Sequence, residues 1–380
     1  MSRRRGRVSV EKDHIERREW YEATERSVFP EDSNVFSRSP RKVVIEAKQQ
    51  KEYPKADPAF LKNRNRLLVE LNKVDSHCYS FVFCFPGAGN SHSYFKHWGS
   101  KLAEKNIKLY GICLRGRMHR IHEDTSERNF INLAKELFLS IRSLLVWHKA
   151  SDILTYKDMP TPNLVLFGHD LGAYLAFETA RLLQCNGLAD MFRVQLIVSA
   201  AENPNWHAEV NMRRREREAV KYIDPYDTRI NGEELERVSN KPWKELLAYL
   251  LLHDHIPQEL ANSKDLLKYL LPLVRVDYLL LESYELKQPD LDDFDFNGED
   301  KSEDPTYILL PKTTRLGVNI SVIYAKDDGA LRIEQMEGWI ECTSASCDLM
   351  QPFETGGRNY LTNEEHQEVL MEIFDSLNYA

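Results

Sequence analysis

The chain has 380 residues, 42% of them hydrophobic, and a formal net charge of −8. It is long enough to bury a sizeable core in one large or two ordinary domains. The acidic balance lacks the basic footprint of a nucleic-acid binder, and no run approaches the roughly 18 apolar residues that a membrane span requires.

Residues 1–75 are polar, rich in Arg, Lys and Glu, and hold little apolar periodicity before FLKNRNRLLVEL (60–71). They read as an extension that is disordered alone or laid over a protein partner. The folded domain is expected over 76–380. YSFVFCF (79–85) is a continuous apolar run closed by Pro86-Gly87-Ala88-Gly89, followed by a helical pattern (SYFKHWGSKLAEKN) and a second strand, IKLYGICL (107–114). An amphipathic helix near 127–149 precedes the strand NLVLFG (163–168), a helix at 171–184 and the strand VQLIVSAA (194–201). A helix-rich polar insertion spans 205–285, and the segment 288–306, with eight acids against one lysine, reads as an acidic surface loop. The strand NISVIYA (319–325), a weaker strand near 347–354 and a closing helix at 363–377 complete the pattern. This alternation implies an α/β fold, a mostly parallel sheet with helices on both faces.

Six cysteines (Cys78, Cys84, Cys113, Cys185, Cys342 and Cys347) fall without CxxC spacing. They read as reduced thiols, which points to an intracellular protein. Residues 1–10 hold four arginines and no acid, as an import segment would, but Glu11, Asp13, Glu16 and Glu19 follow at once, and the apolar stretch of a signal peptide is missing. Cytoplasm and mitochondrion are the expected compartments.

In an open α/β sheet, reactive groups gather in loops at the carboxyl ends of the strands. FPGAGN (85–90) is such a loop, and its small residues let the Ala88 amide approach a substrate oxygen. GHDLG (168–172) has the form of the strand–turn–helix elbow G-x-S-x-G, with Asp170 at its centre and Leu171 offering a second oxyanion amide. Downstream, AKDDG (325–329) offers Asp327 or Asp328 as an orienting acid, and ETGGRNYL (354–361) stands where the histidine of a triad would. His169 reads as a packing or hydrogen-bonding group, and His92 and His97 as solvated residues of a helix face. His253 and His255 (HDHIP) are two apart, a spacing that faces a metal badly on a helix, and no metal site is expected. RRRERE (213–218) mixes signs and reads as an exposed face of the insertion.

Four motifs, in order, resemble those of the type II thioesterases, an α/β-hydrolase family that releases acyl groups from the carrier proteins of fatty-acid, polyketide and nonribosomal-peptide synthesis. FPGAGNSHSYFKHW resembles F-P-G-A-G-G-S-A-x-x-F-x-x-W, and LRGRMHR (114–120) resembles L-P-G-R-x-x-R. GHDLGAYLAFETARLL (168–183) resembles G-H-S-M-G-A-x-x-A-F-E-x-A-R-x-L, and LLPLVRVDYLLLESYEL (270–286) resembles L-L-P-x-L-R-A-D-x-x-L-x-E-x-Y. The likeness covers roughly 79–380. It implies an α/β-hydrolase fold with a helical lid at 205–285, no cofactor, and acyl-carrier protein or acyl-CoA as the partner of an active member.

The departures fall where the chemistry would be. Asp170 stands where the family has its nucleophilic serine, and Arg358 where it has the histidine of G-G-H-[FY]-[FY]-L; the acid, Asp327 or Asp328, is kept. A triad needs a hydroxyl activated by an oriented imidazole, and a guanidinium cannot accept a proton. Losing the serine or the histidine alone costs roughly 10⁶-fold in turnover in a well-studied protease. Asp170 could itself be a nucleophile, but attack on a thioester would leave a reactive anhydride, so the substrate would be an alkyl carbon. The ester then needs a base, and His366 is the remaining downstream histidine.

The other reading is structural. Asp tolerates the left-handed backbone of an elbow and suits a helix start, and an ion pair with Arg358 within about 4 Å is expected. Two functions follow: a catalytically inactive thioesterase-like subunit that binds protein partners through its extension and surface loops, or a hydrolase with an unorthodox site at Asp170.

Overall fold

The computed structural model describes residues 66–74, 80–125, 129–153, 161–220, 236–256, 258–286 and 315–379. The acidic segment 288–306 and the first 65 residues lie outside them. The chain divides into two compact units. One comprises Asn65–Ile141, Pro160–Gly298 and Ile308–Ala380, the other Met1–Arg64, Arg142–Met159 and Glu299–Tyr307. Of the second, the described residues 142–153 are helical.

The first unit carries seven strands: β1 (Leu68–Glu70), β2 (Ser80–Phe85), β3 (Ile107–Ile112), β4 (Asn163–His169), β5 (Arg193–Ser199), β6 (Asn319–Ile323) and β7 (Cys347–Leu349). They form one sheet in the order β1-β3-β2-β4-β5-β6-β7. β1 runs antiparallel to β3, and every other neighbouring pair is parallel. The helices are α1 (Gly99–Glu104), α2 (Phe130–Ile153, whose residues from 142 belong to the second unit), α3 (Leu171–Cys185), α4 (Pro204–Val220), α5 (Trp243–Leu252), α6 (Gln258–Ala261), α7 (Lys264–Glu282), α8 (Ile333–Glu337) and α9 (Gln367–Tyr379).

The uninterrupted apolar runs follow from this layering. β2 is buried at every residue and β4 at all but its first, as parallel strands covered on both faces must be. On one face Val82, Cys84, Val165 and Phe167 pack with Trp98, Leu102, Leu370 and Phe374 in a single cluster. The Trp98 ring lies 5.0 Å from Phe167 and 5.6 Å from Phe374; each such buried aromatic contributes about 1.5–3 kcal/mol of transfer free energy. α3 packs on β2, β4 and β5. Among the described residues, no helix is long and apolar enough to cross a membrane.

The sheet begins before the boundary at residue 75 that polarity suggests. β1 pairs Leu68 with Ile112 and Glu70 with Tyr110, and Leu67 and Asn72 are buried. An edge strand can be very short, and the three residues of β1 show no period in a polar surrounding. Here the Asn72 amide donates to Gly99 O and Ile107 O, and its oxygen accepts the Leu109 N–H. Two helices also begin differently from their periodicity: α1 is preceded by a 3₁₀ segment, His92–Trp98, and α9 by 3₁₀ turns at Gly357–Thr362 and Glu364–His366.

Candidate functional site

β4 enters α3 through Asp170, whose φ of 52° and ψ of −122° lie where a side chain rarely sits. Two glycines make the turn possible. A side chain at Gly168 would run into the Gly172 carbonyl oxygen and Ala173, and one at Gly172 into the carbonyl oxygen of Phe85. The turn is closed by the Asp170 N–H donating to Ser199 O and the Ala173 N–H to Asp170 O, both at 2.9 Å. It aims the carboxylate at the loop after β2, where the Ala88 N–H donates to Asp170 Oδ2 at 3.0 Å. Leu171 is the first residue of α3 and is buried.

The expected ion pair is present. Arg358 Nη1 donates to Asp170 Oδ1 at 2.8 Å, and Arg358 Nε lies 3.4 Å from Asp328 Oδ2. All three residues are buried. Asp327 faces the backbone of the next loop instead, accepting the N–H groups of Gly356 at 3.0 Å and Gly357 at 2.8 Å. Burial alone would push the Asp170 carboxyl up, but the Arg358 guanidinium, with the Ala88 N–H, outweighs it and holds the carboxyl below its ordinary value. Burial likewise opposes the charge on Arg358, and Asp328 and Asp170 more than restore it. The centre is therefore an ionised carboxylate against a fixed guanidinium, and the guanidinium cannot serve as a base.

The histidines divide sharply. His169 Nδ1 lies 2.8 Å from Ser199 Oγ, which in turn lies 2.5 Å from the Tyr360 hydroxyl, and its ring stacks on Tyr94 at 5.6 Å. Burial lowers its pKa to about 4, so it packs as a neutral ring. His366 Nδ1 is 3.0 Å from Tyr360 O and its ring sits 4.5 Å from Phe353. His92 is buried rather than solvated, because the 3₁₀ segment tucks it against Gly111, where a Cβ would stand 2.6 Å from His92 Cβ. His97 is exposed, with Nε2 3.2 Å from Leu361 O.

His255 is the imidazole that spacing alone did not place here. Buried after α5, it bonds the Tyr278 hydroxyl through Nε2 at 3.0 Å, and burial, with Arg358 next, lowers its pKa to about 3. Arg117 and Asp277, present in two of the motifs but given no role, form a second buried pair. Arg117 Nη2 donates to both Asp277 oxygens at 2.6 Å, the Gly89 N–H donates to Asp277 Oδ2 at 2.7 Å, and Arg117 Nη1 donates to Asn90 O at 2.9 Å. An unpaired charged residue inside an apolar helical motif was the available signal: Asp277 needs a cation once buried.

The mostly parallel sheet, its antiparallel first strand and the strained elbow between β4 and α3 define an α/β-hydrolase. The sequence profile of the thioesterase domain matches residues 154–374. The chain belongs to the thioesterase domain family. The medium-chain S-acyl fatty acid synthase thioesterase of Homo sapiens is 20% identical over 292 residues, covering 76% of this chain and 83% of that protein. Linear gramicidin dehydrogenase LgrE of Brevibacillus parabrevis is 24% identical over 307 residues, covering 80% and 89%. The solved type II thioesterase BorB, from the borrelidin biosynthetic cluster, superposes with a TM-score of 0.57 at 21% identity, covering 82% of this chain and 97% of its own. That likeness bears on the fold.

Proposed function

We propose that this chain is a thioesterase-fold protein that no longer runs serine–histidine hydrolysis and serves as a structural or binding subunit of an intracellular complex, with its N-terminal extension and acidic segment making the contacts. In this reading Asp170 stands in place of the nucleophilic serine, Arg358 in place of the histidine and Asp328 at the acid position, with Ala88 and Leu171 at the oxyanion amides. The observation that carries it is the engagement of Asp170 on both sides, by Arg358 at 2.8 Å and by the Ala88 N–H at 3.0 Å. A triad needs a base for its nucleophile and free amides for the oxyanion. Here the base position holds a group that cannot take a proton, and an amide suited to the oxyanion already holds a carboxylate.

The test is hydrolysis of acyl-CoA and acyl-carrier thioesters by the purified chain, by Asp170→Ala and by the double change Asp170→Ser with Arg358→His. The native chain and Asp170→Ala are expected to be inert and the double change to gain turnover. Native turnover that Asp170→Ala abolishes overturns the reading.

Family membership supports a second reading, an acyl thioesterase acting through Asp170 on carrier-bound or CoA-bound substrates, since relatives of this chain are named as thioesterases. Its missing base would then be His255, a buried neutral imidazole bonded to the Tyr278 hydroxyl, rather than His366, which faces Tyr360 O.

A further inference from the structure

Asp170 is held by two donors, and each takes a different oxygen. The Ala88 N–H donates to Oδ2 at 3.0 Å, and Arg358 Nη1 donates to Oδ1 at 2.8 Å. Gly87 leaves the room for this, since a Cβ there would stand 3.0 Å from Asp170 Cβ and 3.2 Å from Oδ2. The guanidinium is also faced from another side, where Nε lies 3.4 Å from Asp328 Oδ2. Asp328 is itself placed by its Oδ1, which accepts the Ala330 N–H at 3.1 Å. Arg358 therefore has a second counter-ion that does not depend on Asp170.

The same loop holds another carboxylate in the same manner. One residue on, the Gly89 N–H donates to Asp277 Oδ2 at 2.7 Å, and Arg117 Nη2 donates to both Asp277 oxygens at 2.6 Å. Two consecutive amides of the loop 86–90 are thus each matched with a guanidinium around a buried carboxylate. Charge-assisted bonds of this kind are stronger than neutral ones, and a buried guanidinium requires an anion beside it. A thioester carbonyl offers one oxygen and no net charge, so it cannot balance Arg358.

We infer that the Ala88 amide and Arg358 form a carboxylate-binding seat whose resident ligand is Asp170, so that the centre of this fold recognises a carboxylate anion in place of a thioester carbonyl. The inference deepens the first reading and rests on it: the positions of serine and histidine have become the ligand and the donor of an anion site. Asp170 is the internal competitor for that seat. Its removal leaves a space shaped for acetate, whose methyl and carboxylate reproduce the severed side chain. A buried space takes up a small ligand that fits it.

The test is thermal unfolding of the full chain in sodium acetate, with equal sodium chloride and the neutral isostere acetamide as controls. Asp170→Gly suits the φ of 52° at the elbow. Its melting temperature is expected to rise saturably with acetate, with a dissociation constant on the order of millimolar for so small a ligand. Acetamide should leave it unchanged. Acetate should likewise leave unchanged the native chain, whose seat is filled, and the double change Asp170→Gly with Arg358→Met, which lacks the donor. Where Asp170→Gly is insoluble, Asp170→Ser is read in the same way. The seat is overturned if acetate shifts the variant no more than acetamide or chloride does, if the acetate shift survives Arg358→Met, or if the native chain gains as much. Thioester turnover by the native chain, measured on the same sample, would instead overturn the first reading itself.

Discussion

Replacing Arg358 by methionine keeps an extended side chain but removes the guanidinium that faces Asp170 at 2.8 Å and Asp328 at 3.4 Å. The Arg358 and Asp170 side chains are 8% and 9% exposed, so the discount that applies to a surface pair does not apply here. Leaving a buried charge without its partner costs about 3–5 kcal/mol, and this variant leaves two carboxylates in that position. Asp170→Asn is expected to be milder, about 1–3 kcal/mol, the cost of a lost charged hydrogen bond. Arg358 keeps Asp328 in that variant, and the asparagine oxygen can still take the Ala88 N–H. Combining the two changes should cost less than the sum of the singles by roughly 1–3 kcal/mol, the range for residues in direct contact. Urea unfolding of the four chains at pH 7 reads these differences as midpoint shifts at constant slope. If the effects add within about 0.5 kcal/mol, or if Asp170→Asn proves the more damaging single change, the guanidinium is not the shared partner of two carboxylates.

Gly172→Ala should prevent folding, because its Cβ would enter the Phe85 carbonyl oxygen, whereas Gly187→Ala, at a φ of 75° but with nothing within 4 Å, should cost only about 1 kcal/mol; soluble yield and melting temperature compare them, and equal outcomes would refute the close-approach argument. Asp277→Asn, which strips the counter-charge from buried Arg117, should destabilise by about 3–5 kcal/mol in the same urea assay, and a loss below about 1 kcal/mol would mean that water already reaches the pair. His169 and His255, held neutral with pKa values of about 4 and about 3 against an ordinary 6.5, make stability pH-dependent. Below 6.5 the unfolded chain takes up these protons before the folded one, so stability falls as pH drops from about 6.5 towards 4, by up to about 1.4 kcal/mol per pH unit for each ring. His169→Gln should flatten that slope, and an unchanged slope would show that the ring is not buried as a neutral group.

What could be read in the chain beforehand, and what could not, divides by the range over which a residue acts. β2, β4 and α3 declare themselves because burial on both faces demands continuous apolar sequence, and the elbow because the spacing of Gly168 and Gly172 about Asp170 is a local pattern, although what Gly172 clears is Phe85 of β2. β1 does not, since its three residues are too few to show a period and the three hydrogen bonds of the following Asn72 to β3 and α1 are announced by no local pattern. Arg117 and Asp277 lie 160 residues apart, and His255 comes from within the insertion, after α5. Such partners are matched only by the fold.

Asp170 and Arg358 are a different case. They are 188 residues apart, yet an ion pair between them was expected, because the resemblance to the type II thioesterase motifs implies that these two positions touch, and they carry opposite charges. Either residue alone would be an uncompensated charge in a buried site, at a cost comparable with a large part of a domain's net stability. Physical compatibility therefore couples them: the carboxylate at the elbow is tolerable because the guanidinium is there, and the guanidinium is tolerable because Asp170 and Asp328 face it. A site maintained for proton transfer would gain nothing from that coupling, since it lowers the basicity of the carboxylate and fixes the cation.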